Sequence, residues 1–278
     1  MNLYKLIIFL IRIRLSFLAY FLLTILSLLL GKLSKFRFFK NQFWIQKQEN
    51  IYLVDFYPKY RLNLHDHDSS AFDIFFNEYT PKLGDICVDV GSGLGTDTRL
   101  MSKLVGNEGV VYSIEATKSV FEALKLNVKL NNLENVVVSN CAISNKNETI
   151  KVIESPHHHT QNRIAEDCID GIFHEVDGLT MDTYIINQGI KYIDFLKVNI
   201  EGAEKQLIEG FTKIRKVKHI AISTHDFLGK RTGDKFYFSR DLIEQFLNEN
   251  DFEFFLRNTG IDYIDGWIFG YNKALIND

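Results

Sequence analysis

The apolar positions of this chain change character along its length. Over residues 15–30 (LSFLAYFLLTILSLLL) sixteen positions pass without a charge, and the preceding LYKLIIFLIRIR is as apolar but broken by Lys5, Arg12 and Arg14. Residues 51–64 (IYLVDFYPKYRLNL) alternate apolar and polar around Pro58, which predicts a small hairpin. Residues 70–79 (SAFDIFFNEY) carry Phe72, Ile74, Phe75 and Phe76 at helical spacing. From Asp85 short apolar runs alternate with amphipathic stretches. ICVDV reads as a buried strand, residues 96–105 as a helix, VVYSIEA as a strand, SVFEALKLNVKLNN as a long helix with apolar Val120, Leu124, Val128 and Leu130, and NVVVSN as a strand. TIKVIES extends the sheet or forms a side hairpin. YIDFLKVNI is a further strand, EGAEKQLIEGF its helix, KHIAIST a strand and residues 239–250 a helix, and DFEFFLR and IDGWIFGYN close the chain as a hairpin.

Strands alternating with helices predict an α/β fold: a doubly wound, mostly parallel seven-stranded sheet. The expected organisation is a membrane-anchor helix over residues 1–31, a basic and aromatic juxtamembrane segment with the small hairpin over residues 32–69, and one α/β domain over residues 70–278.

Charge sharpens the division. Of the 32 Lys and Arg, eight lie in residues 1–50 beside a single acid, Glu49, so a head of +7 precedes a body of −10 within a net charge of −3. A basic apolar head on an acidic body reads as a membrane signature, and an acidic body disfavours nucleic acid as a partner. A bilayer core of about 30 Å needs roughly 20 apolar residues, so the uncharged run is short unless Arg14 and Lys32 snorkel outward; spanning and lying flat both stay open. A cleavable signal peptide is disfavoured because Gly31-Lys32-Leu33 follows the run in place of a small-x-small site. Lys32, Lys35, Arg37 and Lys40 interleave with Phe36, Phe38, Phe39, Phe43 and Trp44, a composition suited to an anionic headgroup region or to packing under the next domain. The cation count on the two sides of the run leans toward a cytoplasmic body. Cys87, Cys141 and Cys168 are too few and too irregular for a disulfide scaffold, and a reducing compartment fits best.

The densest chemistry is VDVGSGLGTDT, residues 88–98, at the junction of a strand and a helix. Gly91, Gly93 and Gly95 let the backbone turn tightly and approach a ligand. A dinucleotide fingerprint, G-x-G-x-x-G, needs glycine where Thr96 stands, which argues against an NAD-dependent oxidoreductase. The pattern D-x-G-x-G-x-G, with Asp89 two residues before the first glycine, resembles motif I of the class I S-adenosylmethionine (SAM) methyltransferases, and that likeness implies a carboxylate at Asp89 for the methionine ammonium. Glu115, twenty residues after Gly95 at the end of the second strand, is placed to accept ribose hydroxyls.

Further along, FLKVNIEGAEKQLIEG (residues 195–210) is similar to the strand-four signature of the FkbM family of SAM-dependent methyltransferases, whose usual form is close to FLKIDVEGAE. IEATKSVFEALKLNVKLNNLENV resembles that family's FEPNPENFELLKKNIELNNL stretch, and LTMDTYI its TLDDL box; together the likeness covers roughly residues 70–270. Asn199 replaces the family's usual aspartate, and Glu115-Ala116 replaces its Glu-Pro. The resemblance implies SAM as cofactor, a Rossmann-like fold and a hydroxyl acceptor on a sugar or secondary metabolite. By position it implies that Asp89, Gly91, Ser92, Gly93, Gly95 and Thr96 line the methionine side. It gives Glu115 the ribose, counts Ala116 beside it among the cofactor-binding residues, sets Asn140, Cys141 and Ala142 beside adenine, and turns Asn199 and Glu201 toward the transferred methyl or acceptor.

Methyl transfer to a hydroxyl gains from a base with a pKa near neutrality. Candidates at strand C-terminal ends are Glu201, His225 and Asp226. His225 or Glu201 as base is favoured over a divalent metal held by Asn199, His225 and Asp226, because Asn199 lacks the charge a cation wants. His157, His158 and His159 read as a solvated or acceptor-gripping loop. Asp182 reads as a helix-start acid, and Cys87 and Cys141 as small buried apolar residues. The function expected is a membrane-tethered SAM-dependent O-methyltransferase acting on a small-molecule, glycan or lipid-linked acceptor; the alternative is a non-catalytic SAM-binding protein at the membrane.

Overall fold

The computed structural model describes residues 3–12, 15–40, 42–59, 61–153, 163–164 and 173–276. His157, His158, His159 and Cys168 lie outside the described residues. In place of one anchor helix the head forms two, α1 (Leu3–Arg12) and α2 (Ser16–Leu29), followed by an antiparallel meander of β1 (Lys35–Phe39), β2 (Phe43–Gln48) and β3 (Ile51–Asp55). Fourteen residues of α2 span about 21 Å against a hydrocarbon core of about 30 Å, and among the described residues no helix is long and apolar enough to cross a membrane.

The meander corrects one expectation and favours one of two readings of the aromatic residues. The small hairpin begins earlier than residues 51–64, because Lys35–Phe39 and Phe43–Gln48 pair before Ile51–Asp55 joins. The aromatic cluster is also internal. Phe36 and Trp44 are buried against Ile7, Leu10, Ala19 and Leu23 of the two helices, with Tyr20 meeting Trp44 edge-on at 6.2 Å, so their ring area is spent on packing. Phe43, Ile45 and Val54 pack on Ala123, which seats the meander on the body.

Next comes α3 (Leu64–Ile74), six residues earlier than the apolar spacing indicates. Its start is set by polar chemistry: the Asn63 side chain accepts from the His65 N–H, and Gln48 Oε1 accepts from the Leu64 N–H at 2.7 Å. Phe75 and Phe76 then fold back onto the main core beside Cys87, Phe195 and Trp267.

The body follows in chain order as β4 (Ile86–Val90), α4 (Thr96–Val105), β5 (Val110–Ile114), α5 (Lys118–Leu130) and β6 (Val136–Ser139). A side sheet holds β7 (Ala142–Ile143), β8 (Glu148–Ile153), β9 (Arg163–Ile164) and β10 (Phe173–Leu179); TIKVIES therefore builds this second sheet and does not extend the first. The chain continues through α6 (Met181–Asn187), β11 (Ile193–Val198), α7 (Glu204–Glu209), β12 (Val217–Ser223), α8 (Asp226–Thr232), α9 (Arg240–Glu249), β13 (Phe252–Leu256), α10 (Asp262–Asp265), β14 (Trp267–Asn272) and α11 (Lys273–Ile276).

The main sheet has seven strands in the order β13-β14-β12-β11-β4-β5-β6. β6, β5, β4, β11 and β12 are parallel neighbours, and β14 lies antiparallel to both β12 and β13. Val88, Val90, Leu196, Val198, Ile220 and Ile222 fill the core on one face and Cys87, Phe195 and Ala221 on the other, as strands covered on both sides require. From β4 the chain winds outward to β6, then returns to β11 on β4's other side. The carboxyl ends of β4 and β11 flank the switch point, where ligands of open α/β sheets bind.

Candidate active site

The loop after β4 is shaped by its neighbour. Asn199, first residue beyond β11, donates its N–H to the Val90 carbonyl at 2.9 Å. This brings the Asn199 carbonyl so close that a Cβ on Gly91 (φ +77°) would sit 2.0 Å from its oxygen. Gly93 (φ +55°) has open space where a Cβ would stand, and its N–H donates to Glu115 Oε2 at 3.0 Å. Thr117 donates its N–H to Glu115 Oε1 at 2.7 Å, so two backbone donors fix one carboxylate at the end of β5. Burial pushes the Glu115 pKa up, and the Thr117 and Gly93 N–H groups pull the other way.

Beside this carboxylate a cleft of about 160 Å³ is lined by Gly91, Gly93, Glu115, Ala116, Cys141, Ala142, Asn199 and Glu201 among others, with apolar walls that include Ile114, Val120 and Ile143. A fixed carboxylate acceptor at one end, apolar walls and a glycine surface suit a nucleoside carrying a small polar tail. Burial pushes the Cys141 thiol up to about 12, so it serves as wall and not as nucleophile.

Five expected ligand residues stand outside the lining of the cleft. Asp89 is wholly buried, its Oδ1 accepting from Lys197 Nζ at 2.9 Å and its Oδ2 from Thr98 Oγ1 at 2.7 Å. The ammonium role expected for Asp89 is therefore replaced by an internal ion pair, which Asp97 extends at 3.2 Å from Lys197. Burial disfavours charge on Lys197, but Asp89 and Asp97 outweigh it and hold the ammonium protonated. Ser92 is buried with its hydroxyl on the Asp89 and Ile114 carbonyls, Gly95 caps α4, and Thr96 begins that helix; none of the three lines the cleft. Asn140 braces the floor, its Nδ2 donating to the Glu115 and Ala116 carbonyls at 2.8 and 3.0 Å.

A second cavity, about 490 Å³, adjoins the first and shares Asn199 and Glu201 with it. Its walls include Ser223 at the end of β12 and His225 just beyond it, His67 and Ser70 of α3, Asp97, and the rings of Phe75, Phe227, Tyr263 and Trp267. In the larger cavity His225, nearly fully buried, sits between two carboxylates: Nδ1 is 3.0 Å from Glu204 Oε1, and Nε2 is 3.7 Å from Glu201 Oε2. Glu204 is itself fully buried, and its Oε1 also accepts from the Ile200 N–H at 3.3 Å. Burial alone lowers a histidine pKa; here Glu204, then Glu201 and Asp226, reverse that and raise it. Burial raises Glu201 to about 7, opposed by His225 and reinforced by Glu204. Glu201 holds φ +53°, a left-handed conformation rare outside glycine, in the turn that aims it at this cavity.

Asp226 does not join this cluster. Its Oδ2 accepts from the Ser239 and Arg240 N–H groups, both at 3.2 Å, and caps the start of α9, so the three-ligand metal set of Asn199, His225 and Asp226 is not assembled. Asp182 accepts from the Thr212 and Lys213 N–H groups, tying α6 to the loop after α7.

Glu204, Lys197, Asp97 and His67 are the site residues that sequence reasoning passed over. The second glutamate of EGAE, three residues after the first, carried the signal for Glu204. A lysine inside the apolar run FLKV carried it for Lys197, since a buried ammonium needs acidic partners.

A seven-stranded sheet in this order, with its D-x-G-x-G-x-G loop at the switch point and an acid ending the next strand, defines a Rossmann-like class I methyltransferase domain. Residues 89–254, more than half of the chain, match the family model described as "Methyltransferase FkbM domain". The chain belongs to the FkbM family of SAM-dependent methyltransferases, and SAM is its cofactor. Among solved structures it is similar to methyltransferase FkbM from Methylobacillus flagellatus KT at 19% identity and TM-score 0.45, covering 67% of this chain and 43% of that one. It is also similar to an O-methyltransferase from Bacillus cereus in complex with SAH (15% identity, TM-score 0.46, 76% of this chain and 89% of that one). A third is Aeropyrum pernix fibrillarin with bound SAM (12%, 0.44, 82% and 93%). The chain thus spans less than half the length of the Methylobacillus protein. No curated protein matches it.

Proposed function

We propose that this chain is a SAM-dependent O-methyltransferase acting on a hydroxyl of a sugar, a glycan or a lipid-linked metabolite, at a membrane. The observation that carries the reading is the Glu204–His225–Glu201 cluster, in which Glu201 lines both the cofactor cleft and the larger cavity, His225 lines the larger cavity, and Glu204 stands buried behind them. When bound, SAM would supply a sulfonium methyl group for in-line transfer to an acceptor oxygen, with S-adenosylhomocysteine leaving as the neutral thioether. Glu115 would take the ribose hydroxyls, Ala116, Cys141 and Ala142 the base, and the main chain at Gly91 and Gly93 the methionine end. Asn199 presents an amide oxygen, buried and without a hydrogen-bond partner among the described residues, at the boundary of the two cavities.

The acceptor's proton goes to the Glu201–His225 pair. A carboxyl near 7 suits a general base at neutral pH, a contribution of about 10²–10⁴-fold. With Glu204 Oε1 as acceptor 3.0 Å away, the His225 Nδ1 carries a proton and Nε2 faces Glu201, so His225 and Glu201 titrate as a coupled unit. The apolar, basic head supports anchorage to a membrane, and its cation count supports a cytoplasmic body. The neutral Asn199, standing where the family has aspartate, favours as second reading a SAM-binding protein without turnover.

Labelled SAM with a panel of free sugars, oligosaccharides and lipid-linked saccharides tests the proposal. Methyl incorporation that falls by about 10² or more in His225→Ala and Glu201→Gln supports it. Full turnover in both variants sinks the base assignment, and SAM binding with no incorporation into any hydroxyl favours the second reading.

A further inference from the structure

One face of α2 has no protein partner among the described residues. Ala19, Leu23 and Ser27, four residues apart, are buried against α1 and the meander. Phe17, Phe21 and Leu28 project from the opposite side, 67, 59 and 53% exposed. Phe9 of α1, Leu29 and Leu30 add to this apolar surface, as does Leu33, which is 71% exposed although its φ of +44° strains the backbone. Strain and exposed leucine together are costly for a surface that meets only water.

The end of this surface is pinned to the acceptor cavity. Lys32, two residues beyond the end of the apolar run, lies 3.4 Å from Asp66 in the first turn of α3. Gln48 donates to the Lys32 carbonyl at 2.8 Å while accepting from the Leu64 N–H, and Ser27 donates to the Ser34 carbonyl. The next residue, His67, lines the larger cavity with Ser70. Exposed Lys35, Arg37 and Lys40 follow, within a head of +7; its one acid, Glu49, lies 3.5 Å from His65.

We propose that α1 and α2 lie flat in the headgroup region of an anionic bilayer as a monotopic anchor. Phe17, Phe21, Leu28, Leu29 and Leu33 insert, and the α3 wall of the acceptor cavity is held beside the lipid so that the hydroxyl acceptor is drawn from the membrane. The last clause rests on the O-methyltransferase reading; the anchor itself does not. Two short helices packed on a sheet cannot span, whereas an exposed Phe and Leu face in a cationic segment matches interfacial binding in composition and charge.

The full chain is floated with vesicles of phosphatidylcholine alone and of phosphatidylcholine with phosphatidylglycerol. Binding to the anionic vesicles, weakened about tenfold or more in a Phe17→Ser/Phe21→Ser variant, is expected. That variant keeps its rate on a soluble hydroxyl acceptor. Tryptophan placed singly by Phe17→Trp and Leu28→Trp, read against buried Trp44 and Trp267, is then quenched by brominated lipids. A helix lying flat gives both reporters one shallow depth, whereas a spanning helix separates them by about 16 Å. No vesicle binding, unequal depths, or self-association that hides the face without lipid each overturns the anchor. Vesicle binding as expected, with no turnover on soluble or bilayer acceptors, leaves the anchor standing and removes the acceptor route and the enzymatic reading.

Discussion

Replacing Glu204 separates charge from hydrogen bonding at the centre of the proposed base. Its Oε1 accepts from His225 Nδ1 at 3.0 Å and from the Ile200 N–H at 3.3 Å, in a fully buried position. Glu204→Ala orphans both donors; at about 1–3 kcal/mol for each buried unsatisfied group, the fold loses about 2–6 kcal/mol. Glu204→Gln retains an acceptor oxygen of the same shape and removes only the charge, so it is the informative change. Because Glu204 raises both His225 and Glu201, the acidic limb of the pH–rate profile moves to lower pH in Glu204→Gln. The rate at its plateau falls about 10²-fold as the imidazole loses its fixed tautomer and orientation. The assay is single-turnover methyl transfer between about pH 5 and 9, beside urea unfolding to show that Glu204→Gln is folded. A Glu204→Gln enzyme with the native limb and plateau would refute the reasoning, because neither His225 nor Glu201 would then be coupled to the reaction.

Three further outcomes follow from the same geometry. Gly91→Ala drives a Cβ to 2.0 Å from the Asn199 oxygen and loses both SAM affinity and stability, whereas Gly93→Ala meets no protein atom, so its cost to the unliganded fold is the left-handed backbone alone, about 1–2 kcal/mol; thermal melts with and without SAM separate the two. Lys197→Met leaves Asp89 charged, buried and unpaired and destabilises by about 3–5 kcal/mol in urea titration, an effect that Asp89→Asn in the same chain partly relieves. Glu201 is raised from 4.5 to about 7, so the folded state holds its proton more tightly than the unfolded one and loses stability as pH rises through that window. Glu201→Gln should therefore stabilise the protein above pH 7 by at most about 3 kcal/mol and have no such effect below 4.5; unfolding curves at both ends check it.

The main sheet was legible because its strands are covered on both faces and read as short, mostly apolar runs: ICVDV, VVYSI and IDFLKV lie in β4, β5 and β11. The cleft was legible where backbone geometry dictates residue type, at Gly91 and Gly93, and where an acid ends a strand, at Glu115. The head was harder. Periodicity cannot tell an apolar helix that meets lipid from one that meets a sheet, and the buried faces of Phe36 and Trp44 follow from pairing across residues 35–55. Asp89 and Asp226 were misread for a shared reason. An acid at a strand end or helix start serves a ligand, an ion pair or a helix cap equally well, and the partners that decide, Lys197 and the Ser239 and Arg240 N–H groups, lie 108, 13 and 14 residues away. Glu204 went unassigned because its role depends on His225, 21 residues further along.

The account stands on Glu115 holding the cofactor in the cleft between β4, β5 and β11. Calorimetric titration of the full chain with SAM, S-adenosylhomocysteine and NAD, repeated on Glu115→Ala, tests this directly. The prediction is micromolar binding of the two sulfur nucleosides to the native chain, none of NAD, and loss of the first two in Glu115→Ala while its urea unfolding remains cooperative. Undiminished SAM binding by folded Glu115→Ala, or binding of NAD alone by the native chain, would contradict it.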